Sequence, residues 1–227
     1  MLLDQSIAAA PVEPRQRPRE PFALPPRNEN MRRVYAYLIK QRCIDRAVLD
    51  CFAHQKLVYE SADYHNAVFV GTDEDGAPRH AHKRSTASEK SWRRNQAGSE
   101  AAFAFHHIGA SGTIYAFESP IDMLSFISMY QKDWRQHSYV ALCGVGGEAL
   151  THQLAAHENL REVLLCLDND EAGYAAAGRI SKALTDKGYS VSVLAPAGKD
   201  WNEDLQSQCR QPQAEMEVPP CRRLHTW

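Results

Sequence analysis

The chain has 227 residues, 44% hydrophobic and 24% charged, which is enough for a globular core of one or two domains. Its formal net charge of −2 hides an asymmetry: residues 1–110 carry 16 Lys/Arg against 13 Asp/Glu, and residues 111–227 carry 10 against 15. No apolar run reaches the roughly 20 residues of a membrane span, and the six cysteines form no CxxC pair, disulfide framework or zinc-ribbon spacing. Asp4, with no early Lys or Arg, argues against a signal peptide. A reduced, cytoplasmic protein is therefore expected, with no membrane partner. A basic half beside an acidic half is compatible with a nucleic-acid partner.

Six prolines among charges between Pro11 and Pro26 predict an extended, disordered leader over 1–27. From Asn28 to Gln41, Met31, Val34, Tyr35, Leu38 and Ile39 recur at helical spacing. Asp45 is placed to cap a second helix running to about His54, with Val48, Leu49 and Phe52 inward. Leu57 to Glu60 and Ala67 to Val70 read as strands, and Asp75-Gly76 as a hairpin turn returning a strand from about Pro78. Together, residues 28–110 predict a small, partly basic α+β domain.

A basic patch follows the turn. Arg79, Lys83, Arg84, Lys90, Arg93 and Arg94 stand against Glu89 alone, with Trp92 among them. Such a patch can neutralise phosphates and stack a base; a solvated strand and loop is the other reading. His80-Ala81-His82 puts two histidines on one strand face. That spacing resembles the histidine pair of rolling-circle endonucleases, but the sequence places no tyrosine nucleophile. His106-His107 reads as structural or exposed.

From Thr113 the pattern alternates strand and helix. Strands are expected at Thr113 to Phe117, Tyr139 to Leu142, Val163 to Leu167 and Ser190 to Leu194. Helices are expected from Pro120 to about Met129, from Glu148 to His157, and from Glu171 to about Lys187, where Gly188 ends the last. Such alternation implies a parallel, four-stranded sheet flanked by helices over 111–208, followed by a loose tail over 209–227.

Two carboxylates, Asp168 and Asp170, follow the apolar run Val163–Leu167. Ligands bind at the carboxyl ends of strands in such sheets, and paired carboxylates form a hard-oxygen site suited to Mg²⁺ or Mn²⁺. A plain Asp/Asn turn is the alternative reading. Glu118 ends the first α/β strand, with Asp122 one helical turn on. If the first and third α/β strands are neighbours, Glu118 meets Asp168 and Asp170 at one sheet edge. Glu118, less tied to metal, can move a proton. Lys199 can hold a phosphate, and Asp200 or Asp204 can assist the metal. A rival reading takes Gly144-Val145-Gly146-Gly147-Glu148-Ala149 as a dinucleotide-binding loop, but it follows the second strand and leaves Glu118 and Asp170 unexplained.

The order Glu118-x-x-x-Asp122, Asp168-x-Asp170-x-x-Gly173 and Gly198-Lys199-Asp200 resembles the Toprim domain of primases, topoisomerases and related nucleases, and is closest to the primase branch. Arg27 to Leu38, Tyr64 to Gly71 and Pro78 to Ala81 resemble an uncharacterised domain that precedes Toprim in plasmid and conjugative-element proteins. The resemblance implies Glu118 as general acid/base and Asp168 with Asp170 as Mg²⁺ ligands. It implies phosphodiester chemistry on DNA, in replication or conjugative transfer of a mobile element. Single-stranded DNA is the expected partner, with a separate primase, helicase or relaxase component. A Toprim nuclease and a non-catalytic DNA-binding accessory subunit are the alternatives. Longer relatives carry a primase-like segment, sometimes zinc-binding, ahead of these domains.

Overall fold

The computed structural model describes residues 20–87, 89, 91–144, 146–210 and 223–224. Most of the leader expected to be disordered, much of the expected tail, Lys90 of the basic patch and Val145 of the glycine loop lie outside them.

Helix α1 (Arg32–Tyr35) continues into a π-helical segment, Ala36–Gln41. It starts later than Asn28 because the residues before it turn to Glu60. Asn28 Nδ2 donates to Glu60 Oε1 at 2.9 Å, while the Arg33 and Val34 N–H groups donate to Glu60 Oε2 at 2.9 and 3.0 Å. A buried glutamate from a neighbouring strand thus satisfies the open end of α1. Helix α2 (Arg46–His54) is capped as its sequence requires: Asp45 Oδ1 accepts from the Ala47 and Val48 N–H groups at 2.8 and 3.1 Å.

An antiparallel sheet follows, built from β1 (Val58–Glu60), β2 (Ala67–Thr72), β3 (Pro78–Arg84) and β4 (Arg93–Asn95) in that spatial order. The β2–β3 turn holds Gly76 at φ +79°, as Asp-Gly chemistry demands. Residues 20–27 depart from the disordered leader expected there. Phe22 and Leu24 pack on Tyr59, Val68, Val70 and Ala81, and the Tyr59 hydroxyl donates to the Pro25 carbonyl at 2.6 Å. Aromatic and aliphatic side chains between the prolines give this stretch something to bury.

The second sheet contains β5 (His106–His107), β6 (Thr113–Phe117), β7 (Ser138–Ala141), β8 (Glu162–Leu165), β9 (Ser190–Leu194) and β10 (Arg223–Leu224). Their spatial order is β10-β9-β8-β6-β7-β5. The four expected strands form its parallel centre, and β6 and β8 are neighbours. The sheet is nevertheless larger than four strands: β5 and the two-residue β10 add antiparallel edges. Each takes up backbone groups that an edge strand would otherwise leave unpaired. Helices α3 (Pro120–Met129), α4 (Glu148–Ala156), α5 (Glu171–Thr185) and α6 (Trp201–Arg210) complete this half. Ser119 caps α3, with Pro120 in its first turn, and Asp170 caps α5.

One core runs through both halves. Phe52 of α2 packs on Phe105 and Trp134, with ring centroids 5.2 and 5.7 Å apart, and Phe69 of β2 meets Phe105 at 5.5 Å. The antiparallel sheet is therefore fastened to the parallel one through packed aromatic rings. Among the described residues, no helix is long and apolar enough to cross a membrane.

Candidate functional site

The β6–β8 pairing brings two strand ends together. Glu118 follows β6 directly, and its Oε1 accepts a hydrogen bond from the Asp168 N–H at 3.3 Å. Asp168 is buried, and its Oδ1 has no hydrogen-bond partner among the described residues. Burial, followed by the charges of Asp122, Glu118, Asp200 and Asp170, pushes the Asp168 carboxyl up to about 7. Four carboxylates predicted from sequence thus act on a fifth, Asp168.

Each member is fixed differently. Asp170 Oδ1 accepts from the Gly173 N–H at 2.9 Å and caps α5. Gly173 has to be glycine: a Cβ there would lie 2.1 Å from the Asp168 carbonyl and 3.2 Å from Glu118 Oε1. Asp122, in the first turn of α3, is buried and pushed up to about 6 by burial and then by Asp200. Ser119 Oγ donates to Asp122 Oδ2 at 2.6 Å and opposes that rise. Asp200 Oδ1 accepts from the Glu203 N–H at 2.8 Å at the start of α6. Lys199 contributes backbone contacts: its carbonyl accepts from the Asn169 N–H at 2.8 Å, and its N–H donates to Glu203 Oε2 at 2.6 Å. Asp204 accepts from the Ala197 and Gly198 N–H groups at 2.8 and 2.6 Å, holding the loop before α6.

A cleft of about 310 Å³ opens beside Glu118. Glu118, Ser119 and Ala172 line one side; His82, Arg93, Arg94 and Asn95 of the antiparallel sheet line the other. Of the predicted basic patch, Arg93 and Arg94 line this cleft, and the Arg94 guanidinium lies 4.8 Å from the Trp92 ring centroid. The other three have partners nearby. Arg79 Nε donates to Asp73 Oδ2 at 2.7 Å, Lys83 Nζ donates to Gln96 Oε1 at 2.6 Å, and Arg84 Nε donates to the Tyr37 hydroxyl at 3.1 Å.

Sequence reasoning did not find the residues that join the two walls. Asn95 Nδ2 donates to the Cys143 carbonyl at 3.0 Å, and Asn95 Oδ1 lies 2.8 Å from His82 Nδ1. The Cys143 N–H in turn donates to the Glu118 carbonyl at 3.0 Å. Cys143 sits at φ 54°, a left-handed conformation uncommon outside glycine. His80 and His82 are buried on β3, and burial pushes both down to about 4. Neither ring nitrogen of His80 has a hydrogen-bond partner among the described residues. The histidine pair was visible in the sequence; its link to the acidic wall was not.

The donor chemistry suits a divalent cation: hard carboxylate oxygens, one of them buried and unpartnered. Among the described residues, no group of three or more His, Cys, Asp or Glu side chains stands close enough together to hold a metal ion by itself.

This fold and cleft define a Toprim-like α/β domain behind a smaller α+β region, and the family comparisons agree. Residues 115–205 match the family described as Toprim-like, and residues 36–111 match a protein family of unknown function, DUF3991. The chain therefore carries these two domains in that order. It is 32% identical over 110 residues to an uncharacterised protein of Mycoplasma pneumoniae, covering 47% of this chain and 50% of that protein. It is 30% identical over 93 residues to an uncharacterised protein of Mycoplasma genitalium, covering 40% of each. The chain thus spans half or less of the curated relatives it matches.

Among solved structures, the primase fragment of the bacteriophage T7 primase-helicase protein has a TM-score of 0.57 at 17% identity, covering 75% of this chain and 70% of that one. The RNA polymerase domain of the Mycobacterium tuberculosis primase has a TM-score of 0.54 at 15% identity, covering 78% and 72%. These likenesses show a shared fold.

Proposed function

We propose that this protein carries out Mg²⁺-dependent phosphodiester chemistry on single-stranded DNA, as a primase-like component of mobile-element replication or transfer in the cytoplasm. The observation that carries the reading is the buried, unpartnered carboxylate oxygen of Asp168 beside Glu118, in a site whose facing wall presents Arg93 and Arg94. In this reading residues 28–110 grip DNA and residues 111–208 hold the chemistry. A separate primase, helicase or relaxase component is the expected partner.

Asp168 and Asp170 would hold the cation, with Asp122 and Asp200 supporting them. When bound, it supplies positive charge to the cluster and polarises phosphoryl oxygens. Arg93 and Arg94 hold the DNA backbone by charge-assisted bonds to phosphate. Glu118 is oriented by the Asp168 N–H, and it takes or returns the proton of the attacking or leaving hydroxyl. Lys199, on the loop beside Asp200, neutralises a nucleotide phosphate.

Incubation with single-stranded DNA, nucleotides and Mg²⁺ or Mn²⁺ tests this. Lengthened products are expected, and Glu118→Gln should lower their rate about 10²–10⁴-fold while leaving DNA binding in place. Shortened products would replace the reading with a nuclease. DNA binding with neither product would make the chain an accessory subunit.

A further inference from the structure

The turn between β1 and β2, residues 61–66, is locked from several sides. The Ser61 N–H donates to the Asn66 carbonyl at 2.9 Å. The Ser61 hydroxyl donates to the Asp63 carbonyl at 2.7 Å and accepts from the Asn66 N–H at 3.1 Å. His65 Nδ1 lies 2.7 Å from Glu60 Oε1, on the same glutamate that holds the start of α1. Within this frame Tyr64 and His65 both take left-handed backbone, at φ 58° and 53°, a region that residues other than glycine visit sparsely. Among the described residues two large hydrophobic side chains are exposed, and Tyr64, at 84%, stands further out than Tyr174, at 47%. The Tyr174 hydroxyl is held by Asn169 Oδ1. Tyr64 is instead held out by its backbone, which is strained inside a locked turn.

The turn stands at the basic end of its sheet. Glu60, Ala67, Arg84 and Arg93 pair side by side in one row. The 61–66 turn and the β3–β4 connection therefore leave from the same end, and they are tied together. Thr86 Oγ1 donates to the His65 carbonyl at 2.8 Å, and the Ser85 N–H donates to the Trp92 carbonyl at 3.0 Å. Arg93 and Arg94 follow at once, both exposed. Three strand spacings separate β1 from β4, about 14 Å, which a few nucleotides of single strand bridge.

We propose that Tyr64 is a base-stacking subsite for single-stranded DNA: its ring takes the face of an unpaired base while Arg93 and Arg94 hold neighbouring phosphates. The inference rests on the DNA-binding reading above and gives the β1–β2 turn a task that the arginines do not fill. Every base has a π face, so the contact tolerates any sequence. Asp63, exposed beside Tyr64, repels phosphate and leaves the ring to the base rather than to the backbone. Because the turn is locked before DNA arrives, its backbone loses little freedom on binding.

The test measures binding of the full chain to oligothymidylate and to an abasic deoxyribose-phosphate strand of the same length. Wild type should bind the thymidine strand more tightly. Tyr64→Ala should weaken that binding about 5- to 150-fold, the contribution of one stacked base. Its melting temperature and salt slope should not change, because no buried group and no phosphate contact is lost. Tyr64→Phe keeps the ring and should bind like wild type. On the abasic strand, wild type and Tyr64→Ala should bind alike. Irradiation of wild type on an iodouracil-substituted strand should cross-link Tyr64. A Tyr64→Ala variant that binds the thymidine strand as tightly as wild type would overturn the proposal and leave the DNA-binding reading standing. So would an equal loss on both strands, which would assign the effect to phosphates and not to bases. Failure of wild type to bind either strand would overturn that reading and the proposal together.

Discussion

The two walls of the cleft are built by different means. The acidic wall stands on the parallel sheet and is positioned mainly by backbone: β6 and β8 pair in register, the Asp168 N–H reaches Glu118, and Gly173 lets α5 start against the Asp168 carbonyl. The basic wall stands on a three-residue edge strand, β4, all of it exposed. It is held to the acidic wall by side chains, through the Asn95 bond to Cys143 and the His82 contact to Asn95. Acids placed by backbone cannot move apart when their charges repel, whereas arginines on an edge strand can follow a ligand.

The walls also titrate in opposite senses, and this gives the largest expected effect. His80 and His82 have folded values near 4 against about 6.5 unfolded. Their contribution to stability is present above pH 6.5 and lost as pH falls towards 4, roughly 3 kcal/mol for each at full loss. Asp168 and Asp122 have folded values near 7 and 6. They favour the folded state at low pH, and this is lost as pH rises through those values. Wild type should therefore melt at similar temperatures between pH 4 and 7. Asp168→Asn should make the melting temperature fall towards pH 4, and His80→Met should make it rise. Melting curves across that range check the balance; parallel curves for all three proteins would show that the walls are not opposed.

A narrower change attacks the acidic wall alone. Gly173→Ala places its Cβ 2.1 Å from the Asp168 carbonyl. It should cost about 1–3 kcal/mol, read as a drop of about 2–12 °C in melting temperature, and should displace Asp168 from Glu118. An unchanged melting temperature would mean that the α5 start is free to shift.

The acidic wall was legible because each strand feeding it is an apolar run that ends in Asp or Glu, and because Asp170 and Ser119 are ordinary helix caps. β9 and the start of α5 fall where the sequence puts them. The basic wall was legible only as composition. Arg93-Arg94-Asn95 has no apolar alternation to mark a strand, and its place is set by pairing with β3 and by Asn95. His106-His107 likewise becomes an edge strand through contact with β7, which no local pattern announces. The patch also divides in a way charge counting does not reveal: Arg79 is tied to Asp73, while Arg93 and Arg94 line the cleft.

The smallest effect tests that division. Arg93→Ala should reduce the slope of log affinity for single-stranded DNA against log salt by about 0.7, the share of one phosphate contact. Arg79→Ala should leave the slope unchanged. Equal slopes for both variants and wild type would remove Arg93 from the interface.

The central claim is that the carboxylate cluster is a divalent-cation site, and thermal melting with and without Mg²⁺ tests it most directly. A cation that binds only the folded chain should raise the wild-type melting temperature, by about 1.4 kcal/mol of added stability at ten times its dissociation constant. Without metal above pH 7, Asp168→Asn should melt no lower than wild type, because it removes a charge that burial and four neighbouring acids disfavour. It should then gain less than wild type from Mg²⁺. A wild-type melting temperature indifferent to millimolar Mg²⁺, or an Asn variant that gains as much as wild type, would contradict the account.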